Sequence, residues 1–469
     1  METNSSLSAG RENSDALLAL DRALCGDIWA GDAAARLLET LCVDYGGRFA
    51  GSADYRGAAE ALAEQWRAAG LADVHLEEFP IIGWERGESA LTMTAPATRA
   101  LPCIALPPAP ACDIEAEALD LGYGLDPDFA AAGDAVKGKI VLVRAGAPPG
   151  QRPSHRLEKY IRAQQAGAAA FLFFDGEPGM LAATGSLHSD PDGPFETLLP
   201  GAGLAYETGL ELARWLSRGP VTLRLRMTNR ARRDVSWNVV GDLRGASAAG
   251  SGPQVLVCGH LDGHDIAQGA IDNASGVVAV SEVARALAGQ ADALGGGVRF
   301  VAYGAEELGM IGSYAYAASH RAELDDLRFI FNLDCVGTSG PLGLYLQNCS
   351  ELTPIFRRLG QEMGGDYSVQ EALIPFSDQF PFTLEGVPSA FIATGGGGPR
   401  GWGHTAADTL DKVDVRAIRN AAAVVARLVV RVAGDRAWPG RRRTPDETRA
   451  ALQAQGVEAQ LRLLGAWPF

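Results

Sequence analysis

The sequence predicts an α/β fold, a mixed and mostly parallel sheet flanked by helices, with an α+β unit inserted into it. Three observations carry that prediction. From Val235 onward, short apolar runs ("SWNVVGDL", "QVLVCGH", "GVRFVAYGA", "RFIFNLD", "SAFIATG") alternate with segments of helical period ("ASGVVAVSEVARALAG", "GSYAYAASHRAEL", "LTPIFRRLGQEM"). Runs apolar on both faces and separated by helices are what a buried, mainly parallel sheet requires. Ahead of them, over about residues 92–232, the texture changes to proline-rich "LPCIALPPAPACD" and then to a self-contained mixture of strand and helix. Finally, 469 residues are enough for two or three domains.

In chain order, residues 1–32 read as an N-terminal extension and 33–91 as the first part of the main domain. There, "DYRGAAEALAEQWRAAG" sets Ala58, Leu62, Trp66 and Ala69 on one helical face and stops at Gly70, a natural C-cap. "DVHLEEFPII" follows as a strand. Within the insert, "VKGKIVLVRAG" is an apolar strand after a Lys-Gly-Lys turn, and "KYIRAQQAGAAAFLFFD" is a helix closed by Gly167 followed by a buried strand. "YETGLELARWL" and "PVTLRLRM" add a helix and a closing strand, and polar "TNRARRD" marks the boundary. Residues 233–437 carry the strand-helix alternation, and 438–469 form a charged C-terminal tail whose basic run reads as solvated.

Composition narrows the partners. With 41 basic and 57 acidic residues the formal charge is -16, which disfavours nucleic acid and anionic membrane but suits metal cations. No apolar run reaches the roughly 18 residues of a membrane span, and the N-terminal stretch lacks the pattern of a secretory signal, so a cytoplasmic protein is expected. Seven scattered cysteines without a CxxC pair indicate buried free thiols, neither a disulfide framework nor a thiolate zinc site.

Ligands of open α/β sheets gather beyond the carboxyl ends of the strands, and that is where this chain puts its polar residues. "QVLVCGH" ends at His260 with Asp262 two residues on. "GVRFVAYGA" runs into Glu306 and Glu307, "RFIFNLD" ends at Asp334, "SAFIATG" leads to the loop bearing His404, and Asp272 precedes a helix in "GAIDNASGV". Singly, His260 could be a satisfied strand-end histidine, Asp272 an N-cap and Asp334 a turn residue. Together, two imidazoles and several carboxylates at one edge suit zinc, cobalt or manganese, and five ligands serve two ions if one carboxylate bridges.

The ordered motifs "HLDG", "AIDNASG", "AEELGMIGS", "NLDCVG" and "HTAADTLDKVD" resemble the M28 family of two-zinc metallopeptidases, and the inserted segment resembles a protease-associated (PA) domain. The early "GLADVHLEEFPIIGWERGESALTM" looks like the carboxypeptidase Q branch, and the likeness spans about residues 35–435. It implies the zinc-exopeptidase fold, two Zn2+ per chain with Co2+ or Mn2+ as substitutes, a peptide or dipeptide substrate, and a homodimer. It assigns His260 and Asp334 to one metal, Glu307 and His404 to the other, and Asp272 as the bridge. Glu306 becomes the general base and Asp262 the partner that orients His260.

Two positions depart from the pattern. Gly403 stands where many relatives have an oxyanion donor, leaving Trp402, Arg400 or a tyrosine as substitutes, and Gln379, standing where relatives often show histidine, reads as loop packing ahead of an oxyanion or substrate role. His264 and Asp265 have no family match and read as neighbours of the site, while His75, His155, His188 and His320 read as surface or packing residues. "GGGGPRGWG" lacks the Gly-Lys-Ser/Thr of a phosphate loop and reads as a rim. The expected activity is therefore hydrolysis of a terminal peptide bond, by an aminopeptidase or a dipeptidase-like carboxypeptidase. The competing readings are a catalytically silent binding protein on the peptidase fold and a single-zinc acyltransferase similar to glutaminyl cyclases; metal content separates the three.

Overall fold

The computed structural model describes residues 3–176, 178–188, 190–245, 254–365, 367–395 and 401–469, with side chains from residue 15 onward. Two eight-stranded sheets organise it. Across the first, the strands run Ala72–Glu85, Arg230–Leu243, Val298–Tyr303, Val255–His260, Phe329–Leu333, Ser389–Thr394, Leu342–Gln347 and Ser368–Glu371. Its four central strands, from 298–303 through 389–394 in that order, are all parallel, so their carboxyl ends open on one edge.

The apolar runs form this sheet because both faces are covered. Val255, Val257, Phe329 and Phe331 pack into one core with helices Ser275–Ala288 and Val415–Gly434. Their alternates Leu256, Cys258 and Ile330 enter a second core with Tyr316 and Phe382. Successive side chains of a strand point to opposite faces, so a continuous apolar run is the pattern that a sheet buried twice demands. Truncating Phe331 to alanine would cost about 3–5 kcal/mol on the usual scale for buried aromatics. At Gly304, just past one strand, a Cβ would stand 2.2 Å from the Tyr55 hydroxyl and 2.6 Å from the Trp237 carbonyl, so only glycine lets the chain pass.

The second sheet runs Arg99–Leu101, Ser89–Ala95, Thr222–Met227, Cys112–Asp120, Ile140–Arg144, Ala170–Phe174, Gly201–Leu204 and Ile104–Ala105. The chain leaves the first sheet at Glu85 and re-enters at Arg230, and these two residues are register partners. An insertion whose ends already face each other across a ladder leaves the host sheet's pairing intact.

Both termini are more structured than their composition suggests. Helix Thr3–Ala30 buries Leu24 and Ile28 in the main core, and its Asp21 carboxylate takes two hydrogen bonds of 2.8 Å from Arg431. The tail, expected to be solvated over its basic run, is instead docked. Arg442 donates to the Glu385 carboxylate at 2.6 Å and its carbonyl at 2.8 Å, then helices Pro445–Ala454 and Glu458–Leu463 bury Leu452 and Leu461 against Met310 and Phe380. Periodicity missed this because two short helices expose only one apolar residue each to a core that lies elsewhere in the chain. No described helix is long and apolar enough to cross a membrane.

His320, read from sequence as a surface or packing residue, is ion-paired. Its Nε2 lies 2.9 Å from Glu77, and the Glu77 hydrogen bond holds the imidazole pKa above its ordinary value against the opposing effect of burial. A raised histidine pKa means stability that is fully present below about pH 6.5 and lost as pH rises through the folded-state value. His320→Gln is therefore expected to lower unfolding free energy by about 1 kcal/mol at pH 6 and by little at pH 9, measured by urea denaturation at the two pH values.

Candidate active site

The carboxyl edge of the four parallel strands brings all seven sequence-selected residues together. His260 ends its strand, Asp334 follows Leu333, Glu306 and Glu307 follow the turn after Tyr303, and Asp272 lies before helix Ser275–Ala288. His404 comes from the loop beyond Thr394. Six of the seven are buried and His404 is nearly so.

Their donor atoms fall into two groups. In the first, His260 Nε2 lies 3.2 Å from Asp272 Oδ1 and 3.7 Å from Asp334 Oδ1. In the second, His404 Nε2 lies 3.1 Å from Glu307 Oε2 and 3.3 Å from Asp272 Oδ2, and His264 Nε2 lies 2.9 Å from Glu307 Oε2. Within each triad, His260/Asp272/Asp334 and His264/Glu307/His404, the donors lie within 4.8 Å of one another. Asp272 therefore presents one carboxylate oxygen to each group.

Such spacing suits a cation. Zinc ligands about 2.0–2.2 Å from a tetrahedral centre stand roughly 3.4 Å apart. His260 Nε2, His264 Nε2 and Asp334 Oδ1 are buried and make no well-aligned hydrogen bond among the described residues. Close, unshared anions are also costly: at an effective dielectric of 20, two unit charges about 4 Å apart repel by roughly 4 kcal/mol. The donor set, imidazole nitrogen and carboxylate oxygen, fits zinc and its borderline neighbours.

Backbone clamps hold the ligands in place. The Asp262 carboxylate accepts the N–H groups of Glu306 and Glu307 at 3.1 Å each, fixing the turn whose preceding residue, Ala305, takes a left-handed φ of 57°. The sequence reading gave Asp262 the orientation of His260. Here the imidazole Nδ1 lies 3.1 Å from the Asp262 carbonyl and 3.6 Å from its carboxylate, so the shorter contact is to the backbone. On the other side, Asp408 accepts Ile271 N–H at 2.8 Å and Asp272 N–H at 3.1 Å. His404 is secured from the second sheet's side: its Nδ1 lies 3.3 Å from the Thr184 carbonyl, and its own carbonyl accepts Thr184 N–H at 2.8 Å.

The adjacent glutamates occupy opposite electrostatic surroundings. Burial, reinforced by Glu307, Asp378 and Asp334, pushes the Glu306 carboxyl well above its ordinary pKa despite the nearby His260. Burial pulls Glu307 the same way, but His264 and His404 overcome it and hold that carboxyl below the usual range. Neighbouring acids driven apart in this manner have separable roles, one proton-carrying and one permanently anionic.

Sequence reasoning missed four residues. His264 was set aside for want of a family match, yet it stands in the second donor group; its spacing in "HLDGHD" was the available signal. Asp408 lay inside a motif already singled out. Asp378 is fully buried, and burial raises its pKa to about 7. Arg48, also fully buried, had no pattern to announce it: its guanidinium donates to the carbonyls of Leu41, Gly46, Leu261, Gln268 and Gly269 at 2.7–3.0 Å, tying down the loop between His260 and Asp272.

Two candidate oxyanion donors do not take that role in the structure. Gln379 accepts from Asn332 and donates to the Ile374 carbonyl, each at 2.8 Å, which is loop packing. Trp402 is 43% exposed with the Lys412 ammonium 5.6 Å from its ring. Arg400 lies outside the described residues. Asp265 forms a bidentate pair with Arg86 at 2.6 and 2.7 Å, away from the donor groups. Beside the donors opens a cleft of about 1250 Å³, walled by Tyr314, Leu373, Phe376, Phe380 and Leu461. His155, read as a packing residue, stacks on Phe376 in that wall with ring centroids 3.8 Å apart.

Comparison with known proteins gives the same answer from outside the structure. Residues 238–429 match the model of peptidase family M28, and residues 98–212 match that of the PA domain. The chain carries an M28 peptidase domain and a PA domain. It is an M28-type metallopeptidase whose M28 match takes in all seven site residues. Leucine aminopeptidase 2 of Trichophyton rubrum is 26% identical over 367 residues, 74% of this chain and 68% of its own length. Carboxypeptidase Q of Bos taurus is 29% identical over 318 residues, 65% of each chain. Among solved structures, the aminopeptidase from Aneurinibacillus sp. strain AM-1 aligns at a TM-score of 0.67 and 26% identity, covering 90% of this chain and 97% of its own. BSAP, a zinc aminopeptidase from Bacillus subtilis, aligns at 0.64 and 25% identity, covering 84% and 93%.

The buried Arg48 guanidinium makes a stability prediction. Arg48→Met removes a donor from five carbonyls, of which Gly269 keeps the Ala274 N–H and Gly46 and Gln268 are part-buried, each buried acceptor left unsatisfied costing about 1–3 kcal/mol before relaxation. A net loss of at least about 3 kcal/mol is expected by guanidinium denaturation; a loss under about 1 kcal/mol would show that the loop holds itself.

Proposed function

We propose that this metallopeptidase is a co-catalytic two-zinc exopeptidase that hydrolyses the terminal bond of peptides or dipeptides. The observation that carries the reading is Asp272, whose two oxygens lie 3.2 Å from His260 and 3.3 Å from His404. One carboxylate shared between two donor groups is what a two-ion site needs. His260 and Asp334 would hold one zinc, Glu307 and His404 the other, with Asp272 between them. Bound zinc supplies Lewis-acid polarisation and makes water more acidic.

The protein's own residues then divide the remaining work. Glu306 belongs to neither donor triad, so its carboxylate is available to take a proton from the attacking water and return it to the leaving amine. Its raised proton affinity in the buried site suits that exchange, and the fixed Glu306–Glu307 turn keeps the proton-carrying and ligating carboxylates apart. The apolar cleft would exclude solvent and receive a nonpolar side chain. Exopeptidase action rests on the aminopeptidase and carboxypeptidase Q names of the relatives.

Glu306→Gln should lower kcat by about 10²- to 10⁴-fold with zinc content unchanged, measured by steady-state kinetics beside elemental analysis. Near-normal turnover would remove Glu306 from the role. For substrate class, zinc-reconstituted enzyme is offered leucyl-amides, dipeptides and N-acetylated dipeptides with apolar side chains. Cleavage confined to free-amine substrates makes it an aminopeptidase or dipeptidase, cleavage of blocked dipeptides a carboxypeptidase, and cleavage of none sinks the exopeptidase reading.

A further inference from the structure

His264 stands outside the five-ligand set that the sequence motifs assign, and nothing in the proposed chemistry uses it. Yet it is 4% exposed, and its Nε2 comes within 2.9 Å of Glu307 Oε2, the same oxygen that lies 3.1 Å from His404 Nε2. That short contact is poorly aligned for a hydrogen bond, while the attraction between imidazole and carboxylate helps hold the Glu307 carboxyl below its usual range. With His404 Nε2, these donor atoms lie within 4.8 Å of one another, a spacing that suits ligands around a common cation. The His264 and His404 rings meet edge to face, centroids 4.6 Å apart, which aims the two nitrogens at one region from different directions.

We propose that His264 is a further protein ligand of the second metal, joining Glu307, His404 and bridging Asp272. This rests on the two-zinc reading. Three protein donors leave a tetrahedron with an open corner, and a fourth fills it, as in sites that hold zinc tightly and do not admit substrate. The two ions become unequal: the one at His260 and Asp334 keeps the open position, and the one at His264 is held by the protein alone. The other ring nitrogen, Nδ1, has no hydrogen-bond partner among the described residues, so the ring is positioned by packing against Phe49 (centroids 6.5 Å apart) and His404. Removing the imidazole thus deletes a donor without orphaning another polar group.

The test counts ligands on the unmutated protein and then removes one. Wild-type enzyme is loaded with zinc, its metal content measured, and its zinc X-ray absorption fine structure fitted for imidazole. The expected result is two zinc ions with three imidazoles shared between them. Competition with a chromophoric chelator should then show His264→Ala and His264→Phe losing about 10- to 100-fold in affinity for one ion and nothing for the other, the Phe variant preserving the ring packing. Two ions with only two imidazoles, and unchanged affinities in both variants, would overturn the proposal while leaving the two-zinc reading intact. Fewer than two ions on the wild type would instead overturn that reading.

Discussion

Mutual repulsion among buried carboxylates is the constraint around which the site is built. Asp272, Asp334, Glu306 and Glu307 crowd one sheet edge away from solvent, and among the described residues His260, His264 and His404 are the cationic partners interleaved with them. An edge so charged is tolerable only if something positive completes it, and only if the backbone cannot relax the acids apart. The protein meets the second condition with acids and a guanidinium placed one layer back. Asp262 grips the Glu306–Glu307 turn, Asp408 grips the start of the Asp272 segment, and Arg48 ties three carbonyls of the intervening loop to those of Leu41 and Gly46.

Topology makes this possible. Four parallel strands deliver their carboxyl ends to one line, so residues far apart in sequence converge without any one loop having to reach far. The inserted unit enters and leaves through facing residues, and it returns Thr184 to the His404 loop, so a second sheet takes part in fixing one of the candidate ligands. The C-terminal helices close the arrangement from the opposite side by lending Leu461 to the cleft wall.

What the sequence discloses and what it hides follow from how each residue is used. Strand ends marked by His260, Asp334 and the paired glutamates were legible because an apolar run that stops at an acid or histidine leaves few structural explanations. Arg48 was not: its five acceptors are main-chain carbonyls, which carry no sequence signature. Gln379 was legible as a packing residue, but its partners, the Ile374 carbonyl and the Asn332 amide, were not. The tail was misjudged because its three consecutive arginines look solvated, whereas Glu385, Asp325 and Glu351 provide partners from segments between about 60 and 120 residues away. His264 falls between these cases, visible as a residue type near the site but without a pattern to give it a task.

On the two-zinc reading the folded edge is incomplete without cations, so metal binding and stability are the same quantity viewed twice. Its most direct measurement is the unfolding temperature of metal-stripped protein during a zinc titration. At free zinc about 100-fold above the dissociation constant, each ion adds roughly 2.7 kcal/mol of stability. The account predicts a rise of several degrees that levels off when two ions are bound per chain. An unfolding temperature indifferent to zinc would contradict it.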